Sequence, residues 1–348
     1  MIGQLLYPLA RFYVSACIHF YFNKLKVYGR ENLKGNGPFL FAANHQNAFM
    51  DGVLIIVVNS FPVHFLVRAD IFKKAWARTL LAFCKLIPVY RIRDGYASLN
   101  KNQEQFDECA KLFKKKESVL IFPEGNHGAT RKLRPLSKGF TRIAFEAHRQ
   151  HPDMNLQVVP VGINYSHHHA FNSRVSIYFG KPISVSEYFK EPLPQQSTLF
   201  KDRVGEEIKK LIAHIDDEAR YEEILSKLNA SNPDYFFPDE TNDRISKIEK
   251  GETVAATARK TPWVYSILKP LKPLVFLINF PVILGWRKFS KTIKDPVFIS
   301  SLKFAYGISV VQLYYTLLMG VSSIWIGWWC WLVYVGLLAS LKILRKPV

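Results

Sequence analysis

The sequence predicts an α/β fold, a mixed sheet flanked by helices, with an N-terminal interfacial helix and a C-terminal transmembrane helical hairpin. Three observations carry this. From about residue 25 to 190, short apolar runs alternate with longer periodic ones. Residues 1–22 are apolar and aromatic but broken by Pro8 and Arg11. The stretch Phe304–Leu341 runs for 38 residues without one Asp, Glu, Lys, Arg or His.

Taken in order, residues 1–24 read as a membrane-associated helix lying on the bilayer surface, because the apolar run is short for a crossing. A signal peptide is not expected, since a basic start and a small-residue cleavage site are missing. Residues 25–197 hold the α/β domain. Its strands are PFLFAAN (38–44), VHFLVR (63–68), LIPVYR (86–91), SVLIFP (118–123), VVPVGINY (158–165) and VSIYFG (175–180), and its helices cover 49–60, 71–85, 97–116 and 137–150. Residues 198–262 turn charged and helical and read as a solvated linker. Residues 263–348 form a membrane region. Within it, 263–286 carries Pro270, Pro273 and Pro281 with Lys269 and Lys272, which points to a re-entrant or interfacial segment. A crossing needs about 20 apolar residues, so 304–341 suffices for a hairpin turning near Gly320-Val-Ser-Ser. Arg287, Lys288, Lys291, Lys294 and Lys303 precede it and Lys342, Arg345 and Lys346 follow, so both ends, and the folded domain, are expected on the cytoplasmic face of the cell membrane.

Composition narrows the partners. With 47 Lys plus Arg against 28 Asp plus Glu, a formal net charge of +19, the surface attracts phosphate. Six of the seven tryptophans lie at or beyond Trp263, which favours a membrane over nucleic acid, for which no recognised module is present. Cys17, Cys84, Cys109 and Cys330 are scattered and read as buried thiols of a reducing compartment. The run His167-His168-His169 has no Cys or acidic neighbour, and no metal is expected there.

The chemistry gathers at strand ends. In FAANHQNAFMDG (41–52), His45 belongs to the loop before a helix and Asp51 to its first turn. Six helical steps rotate by about 600°, so the two meet only if the loop folds His45 back onto that turn. A carboxylate there accepts the Nδ1 proton and leaves Nε2 as a base. The alternative is that Asp51 charges the helix start and His45 is a polar loop residue. FPEGNHGATRKLRPLSKGFTRIAF (122–145) ends a strand in a Pro-Glu-Gly turn and supplies Arg131, Lys132, Arg134 and Lys138 before a helix, a cationic setting for phosphate. LIPVYRIRDG (86–95) adds Arg91 and Arg93.

NHQNAFMD, IPVYR, FPEG followed by Lys138-Gly139, and VVPVGINY, in that order, resemble the four sequence blocks of the glycerol-phosphate and lysophosphatidic acid acyltransferases. The resemblance covers roughly residues 25–190 and implies an acyltransferase-type domain: transfer of a fatty acyl group from acyl-CoA or acyl carrier protein to a lipid hydroxyl, with no cofactor beyond that donor substrate and no metal. It implies His45 as general base and Asp51 as its orienting partner. Asn44, Arg91, Arg93, Glu124, Gly125, Arg131, Lys138 and Pro160 would bind substrate, the cations taking the acceptor's phosphate. The expected acceptor is a lysophospholipid precursor, 1-acylglycerol 3-phosphate first, then glycerol 3-phosphate, then a hydroxylated aminolipid. Two departures stand out. Five residues, Gln46 to Met50, separate His45 from Asp51, one more than the family's block usually carries, so the extra residue must bulge. Asn126-His127 stands where the family often has Thr-Arg. A non-catalytic lipid-binding protein that keeps the fold is the reading from another class.

Overall fold

The computed structural model describes residues 2–35, 37–72, 83–90, 97–257 and 267–344. Among them, eight strands form one sheet: β1 (Lys24–Tyr28), β2 (Phe39–Ala43), β3 (Val63–Arg68), β4 (Leu86–Val89), β5 (Ser118–Ile121), β6 (Gln157–Tyr165), β7 (Arg174–Phe179) and β8 (Ile183–Ser184). The order is β1-β7-β6-β2-β5-β3-β4, with β8 also on β6. From β6 to β4 neighbouring strands are parallel, whereas β6 and β7 pair antiparallel, so the sheet is mixed as the sequence predicts. Two strands escape the sequence reading, β1 and β8. KLKVY alternates charge with apolar residues and pairs at the sheet edge with β7 alone, where one face stays wet.

The alternation of side chains along β2 divides the interior in two. Leu40 and Ala42 join the core under α3 (Ala97–Lys114), α4 (Gly139–Gln150) and α5 (Leu193–Lys210), with Phe113, Phe140 and Phe200. Phe39, Phe41 and Ala43 face the opposite core, under α1 (Ile2–Tyr21) and α2 (Ala48–Val58), with Ile18, Met50 and Leu54. All five residues of β2 are buried, which a parallel strand covered on both faces requires. Most of the helix expected at 71–85 lies outside the described residues.

The charged stretch after residue 197 differs from the solvated linker expected. Phe200, Val204 and Ile208 of α5 belong to the sheet's core, and α6 (Tyr221–Ala230) and α7 (Pro238–Glu249) close a small core of their own around Ile215, Leu228 and Ile245. This unit is bound to the sheet. Arg174 of β7 makes a double ion pair with Asp234 (2.9 and 2.7 Å), and Asn164 of β6 holds the Leu211 carbonyl at 2.8 Å. Its charges occupy the outer face of helices whose inner face is apolar, a pattern that local composition hides.

The C-terminal helices are α8 (Lys272–Ser290), α9 (Ile299–Tyr306), a wider π-helical turn at Gly307–Val311, α10 (Gln312–Ile326) and α11 (Cys330–Leu344). The helical run from Pro296 to Ile343, 48 residues, is long and apolar enough to cross a bilayer by length and composition. It folds on itself, with Val311, Tyr315 and Leu337 in mutual contact and Val282 of α8 beside them. The turn comes at Gly327, whose φ of 54° suits a residue without Cβ, rather than at Gly320, which continues α10. Buried polar groups link these helices: Tyr315 donates to Asn279, whose amide donates to Ser340 at 3.2 Å. α1 lies beside α2 and leaves Leu6, Leu9 and Phe12 exposed, in keeping with an apolar face turned outward.

Candidate active site

Three strands whose C-terminal ends lie side by side, β5, β2 and β6, deliver the candidate residues, as expected where crossover connections leave a parallel sheet. His45 follows β2, Glu124 follows β5, and Tyr165 ends β6. Asn44 fixes the first of these. Its amide donates to Ile163 O at 3.1 Å and its Oδ1 accepts Ile163 N–H at 2.7 Å, so the side chain acts as one more rung of the β2–β6 ladder. With that side chain buried and both its polar atoms engaged, the expected substrate contact of Asn44 is replaced by a structural role.

The loop does fold His45 back. Nδ1 lies 2.9 Å from Oδ2 of the fully buried Asp51. The same oxygen accepts the N–H groups of Gln46 and Asn47, each at 2.8 Å, and Oδ1 accepts the Tyr165 hydroxyl at 2.6 Å. One carboxylate thus organises the whole connection. The additional residue is absorbed at Ala48, the first of α2, which takes a left-handed φ of 42°. Met50 N–H then donates to Asn47 O at 2.9 Å and closes the turn. Burial, and then Asp51, pushes the Tyr165 phenol well above its usual range, so it holds its proton and donates.

Glu124 grips the loop from the other side. Oε1 accepts the backbone N–H of His45 at 2.6 Å, and Oε2 accepts Nε of Arg134 at 2.5 Å. Burial pushes this carboxyl up while Arg134 pulls it down. Arg134 also donates to His45 O at 3.0 Å, to Asn126 Oδ1 at 2.6 Å and to Asn126 O. The Glu124 carboxylate therefore braces the base's backbone, and Gly125, with φ of 73°, makes the turn that brings it there. Around the imidazole, Phe122 stacks at 4.0 Å on one side and His127 stands 5.6 Å away, ring centre to ring centre. Nε2 of His45 has no hydrogen-bond partner among the described residues. An imidazole with Nδ1–H fixed on a buried carboxylate and Nε2 open is equipped to take a proton from a nearby hydroxyl.

The cations divide. Arg131 does not join the dyad's open side: its guanidinium is buried 3.5 Å above the Tyr235 ring and donates to Tyr165 O at 3.0 Å. Burial lowers it to about 10, which leaves it charged at neutral pH. The expected phosphate contact of Arg131 is thus replaced by a brace on β6. Lys138 is exposed at the start of α4, drawn beside the Pro-Glu-Gly turn by Ser137 N–H on Pro123 O at 2.8 Å. Arg91 and Arg93 lie outside the described residues. Pro160 sits buried in mid-strand opposite Ala42, away from the strand end that carries Tyr165. The histidine run makes no metal cluster among the described residues, and His168 Nε2 meets Gln46 Oε1 at 3.0 Å.

Sequence reasoning passed over Arg134 as a principal residue, and missed Tyr165 and the start of the C-terminal helices. A tyrosine ending an apolar strand is a usable signal, because a buried phenol needs a partner. The approach of the C-terminal segment had no sequence signal. Phe298 packs on His127 at 4.9 Å and Phe49 at 5.9 Å, Asp295 lies 3.8 Å from His127, and Ser301 accepts Met50 N–H at 3.1 Å and donates to Asn47 O at 3.3 Å. Burial, reinforced by His45, pushes the His127 imidazole down against the pull of Asp295. A surface cavity of about 650 Å³ lined by Lys34, Lys116, Gln150 and Asp153 contains none of these residues.

Comparison with known proteins places this geometry in context. Residues 24–164 match the family model described as Acyltransferase. The chain is 36% identical over 86 residues to an uncharacterized acyltransferase of Schizosaccharomyces pombe, covering 25% of this chain and 13% of that protein. It is 28% identical over 211 residues to glycerol-3-phosphate O-acyltransferase 2 of Saccharomyces cerevisiae, covering 61% of this chain and 24% of the yeast protein. It is also 23% identical over 200 residues to 1-acyl-sn-glycerol-3-phosphate acyltransferase of Bacillus subtilis, 55% of this chain and 90% of the other. The chain thus spans a quarter or less of the two fungal proteins and most of the bacterial one. The strand ends that deliver the candidate residues, at Ala43, Ile121 and Tyr165, fall within the matched segment or one residue beyond it, so the site lies in the part of the chain that is similar to acyltransferases.

Proposed function

We propose that this protein is a membrane-bound O-acyltransferase. It moves a fatty acyl group from acyl-CoA or acyl carrier protein to the hydroxyl of a lysophospholipid precursor, 1-acylglycerol 3-phosphate in the first instance, in phospholipid biosynthesis. The observation that carries this reading is the dyad: His45 Nδ1 on the buried Asp51 carboxylate at 2.9 Å, inside the segment that matches the acyltransferase family model. Nε2 takes the proton of the acceptor hydroxyl as its oxygen attacks the thioester carbonyl. The tetrahedral intermediate then expels the thiolate, which recovers that proton from the imidazolium, leaving an ester and a free thiol. A positioned base contributes about 10² to 10⁴-fold to such a step. Asp51 holds the ring in the reactive tautomer and stabilises the transient cation.

The likeness to the yeast glycerol-3-phosphate O-acyltransferase favours glycerol 3-phosphate as a second acceptor. Since Arg131 and Arg134 both serve the protein's own carbonyls and carboxylate, the acceptor's phosphate falls to Lys138 and to Arg91 and Arg93. The apolar helices α8–α11 and the outward apolar face of α1 support attachment to the cell membrane, and the cations flanking the hairpin support a cytoplasmic site. The test incubates detergent-solubilised protein with labelled acyl-CoA or acyl carrier protein and a panel of 1-acylglycerol 3-phosphate, glycerol 3-phosphate and hydroxylated aminolipids, beside His45→Ala. Label should reach one phosphorylated acceptor and vanish in the variant. Equal labelling by wild type and His45→Ala, or none at all, would sink the assignment.

A further inference from the structure

Tyr165 is fully buried at the end of β6 and touches the dyad through one atom. We propose that its hydroxyl is a positioning group that sets how strongly His45 holds a proton, acting through Oδ1 of Asp51. This rests on the reading of His45 as the base. Two arrangements carry it. The donors on Asp51 are split, with His45 Nδ1 and the Gln46 and Asn47 N–H groups on Oδ2 and the phenol on Oδ1 at 2.6 Å. The phenol's own strand end is in turn pinned, because Arg131 donates to Tyr165 O at 3.0 Å, lies 3.5 Å over Tyr235, and takes Tyr221 OH as acceptor for its backbone N–H at 2.9 Å. Tyr235 and Tyr221 belong to the unit that follows α5, so residues far along the chain fix the dyad's back wall.

The physical effect has a definite sign. A donor on a dry carboxylate disperses its charge, and a less concentrated charge attracts an imidazolium less. The phenol thus keeps Asp51 from holding His45 protonated, while locking the carboxylate in the plane that Nδ1–H needs. Removing the hydroxyl alone leaves the ring's volume, returns the full charge to Asp51 and strengthens proton retention by His45. The other charged and titratable groups around the cluster are Glu124, His127 and Arg134 from the β5–α4 connection, Asp295 and Lys303 from the C-terminal segment, Arg131, His168 and His169 beside β6, and Tyr21 of α1. All are common to wild type and variant and cancel in the comparison.

The test reads His45 itself. Carbethoxylation of the His45 peptide by diethyl pyrocarbonate is followed by mass spectrometry against pH in wild type, Tyr165→Phe and a chain carrying 3-fluorotyrosine at 165, a stronger donor of nearly the same shape. Tyr165→Phe should raise the midpoint by about one pH unit, the scale set by one hydrogen bond to a charge, and fluorotyrosine should lower it. Acyl transfer by Tyr165→Phe should fall roughly tenfold in kcat with the acceptor's KM unchanged, because the phenol touches no substrate. Should Tyr165→Phe fail to fold, the fluorotyrosine arm decides alone. A midpoint that stays put in the variants that fold overturns the proposal, even if kcat drops. Acyl transfer surviving in His45→Ala would instead overturn the reading of His45 as the base while leaving the midpoint shift intact.

Discussion

Oδ2 of Asp51 stands 2.9 Å from Nδ1 of His45 while also accepting two backbone N–H groups of the loop between them. The carboxylate is both partner to the base and template for the connection. Asp51→Asn presents an amide where one of these donors needs an oxygen. Acyl transfer should fall by roughly 10³ to 10⁴-fold, the scale of losing a tautomer-fixing carboxylate. Thermal unfolding of the same variant should show a loss of about 1–3 kcal/mol for the unmatched buried donor. Retained activity would mean that the pair is structural only.

The bulge at Ala48 invites a substitution that improves the protein. A left-handed residue with a Cβ costs about 1–2 kcal/mol, and glycine's extra freedom when unfolded takes back about 0.4–1. Ala48→Gly should therefore stabilise by roughly 0.5–1 kcal/mol, with activity kept, and Ala48→Val should destabilise. Denaturant midpoints for the three chains decide it; a less stable glycine variant would contradict the φ of 42°.

Gly162 faces the opposite demand. A Cβ there would come within 2.2 Å of Leu211 O and 2.6 Å of Leu211 Cβ, both parts of a chain held to β6 by Asn164. Gly162→Ala should destabilise by about 1–3 kcal/mol or more, and limited proteolysis should begin in residues 211–257 before the sheet is cut. Unchanged unfolding and an unchanged proteolysis pattern would show that this unit is not packed on the strand.

Acid should loosen the molecule through His168. Its imidazole is pushed well below the usual range by burial first and by Arg131 next, and His127 is pushed the same way. As pH falls past the ordinary histidine value of about 6.5, the unfolded chain takes up protons that the folded chain refuses. Stability present above that value is lost below it, by up to about 1.4 kcal/mol per pH unit for the half-buried His168. The unfolding temperature should drop between pH 7.5 and 5.5, and drop less in His168→Gln, which retains an amide for Gln46. Identical slopes in both chains would contradict the assignment.

The parts of this architecture that depend on period were legible in the sequence: β2, β3, β5, β6 and β7 repeat buried apolar residues at short range, and their ends named the His45 and Glu124 loops. What depends on long-range pairing was not. Arg131 and Arg134 stand three apart in one loop, and only the fold decides that one lies over Tyr235 while the other reaches Glu124. The Tyr165–Asp51 contact joins residues 114 positions apart, and the Ser301–Asn47 contact 254. The solvated look of the stretch after 197 failed for a related reason, since a helix with one apolar face appears polar on average although Phe200 and Val204 are core. The hairpin's turn was displaced from Gly320 to Gly327 because a helix carries an isolated glycine at modest cost.

Ser301 belongs to a helix that leaves the reaction centre and continues, through the wider turn at Gly307–Val311, among the apolar side chains of α10. Its hydroxyl meets both Asn47 O and Met50 N–H, the two ends of the turn that leads into Asp51. Through that one hydroxyl the loop that holds the imidazole and the long apolar helical run are a single connected frame, so a displacement of either reaches the other.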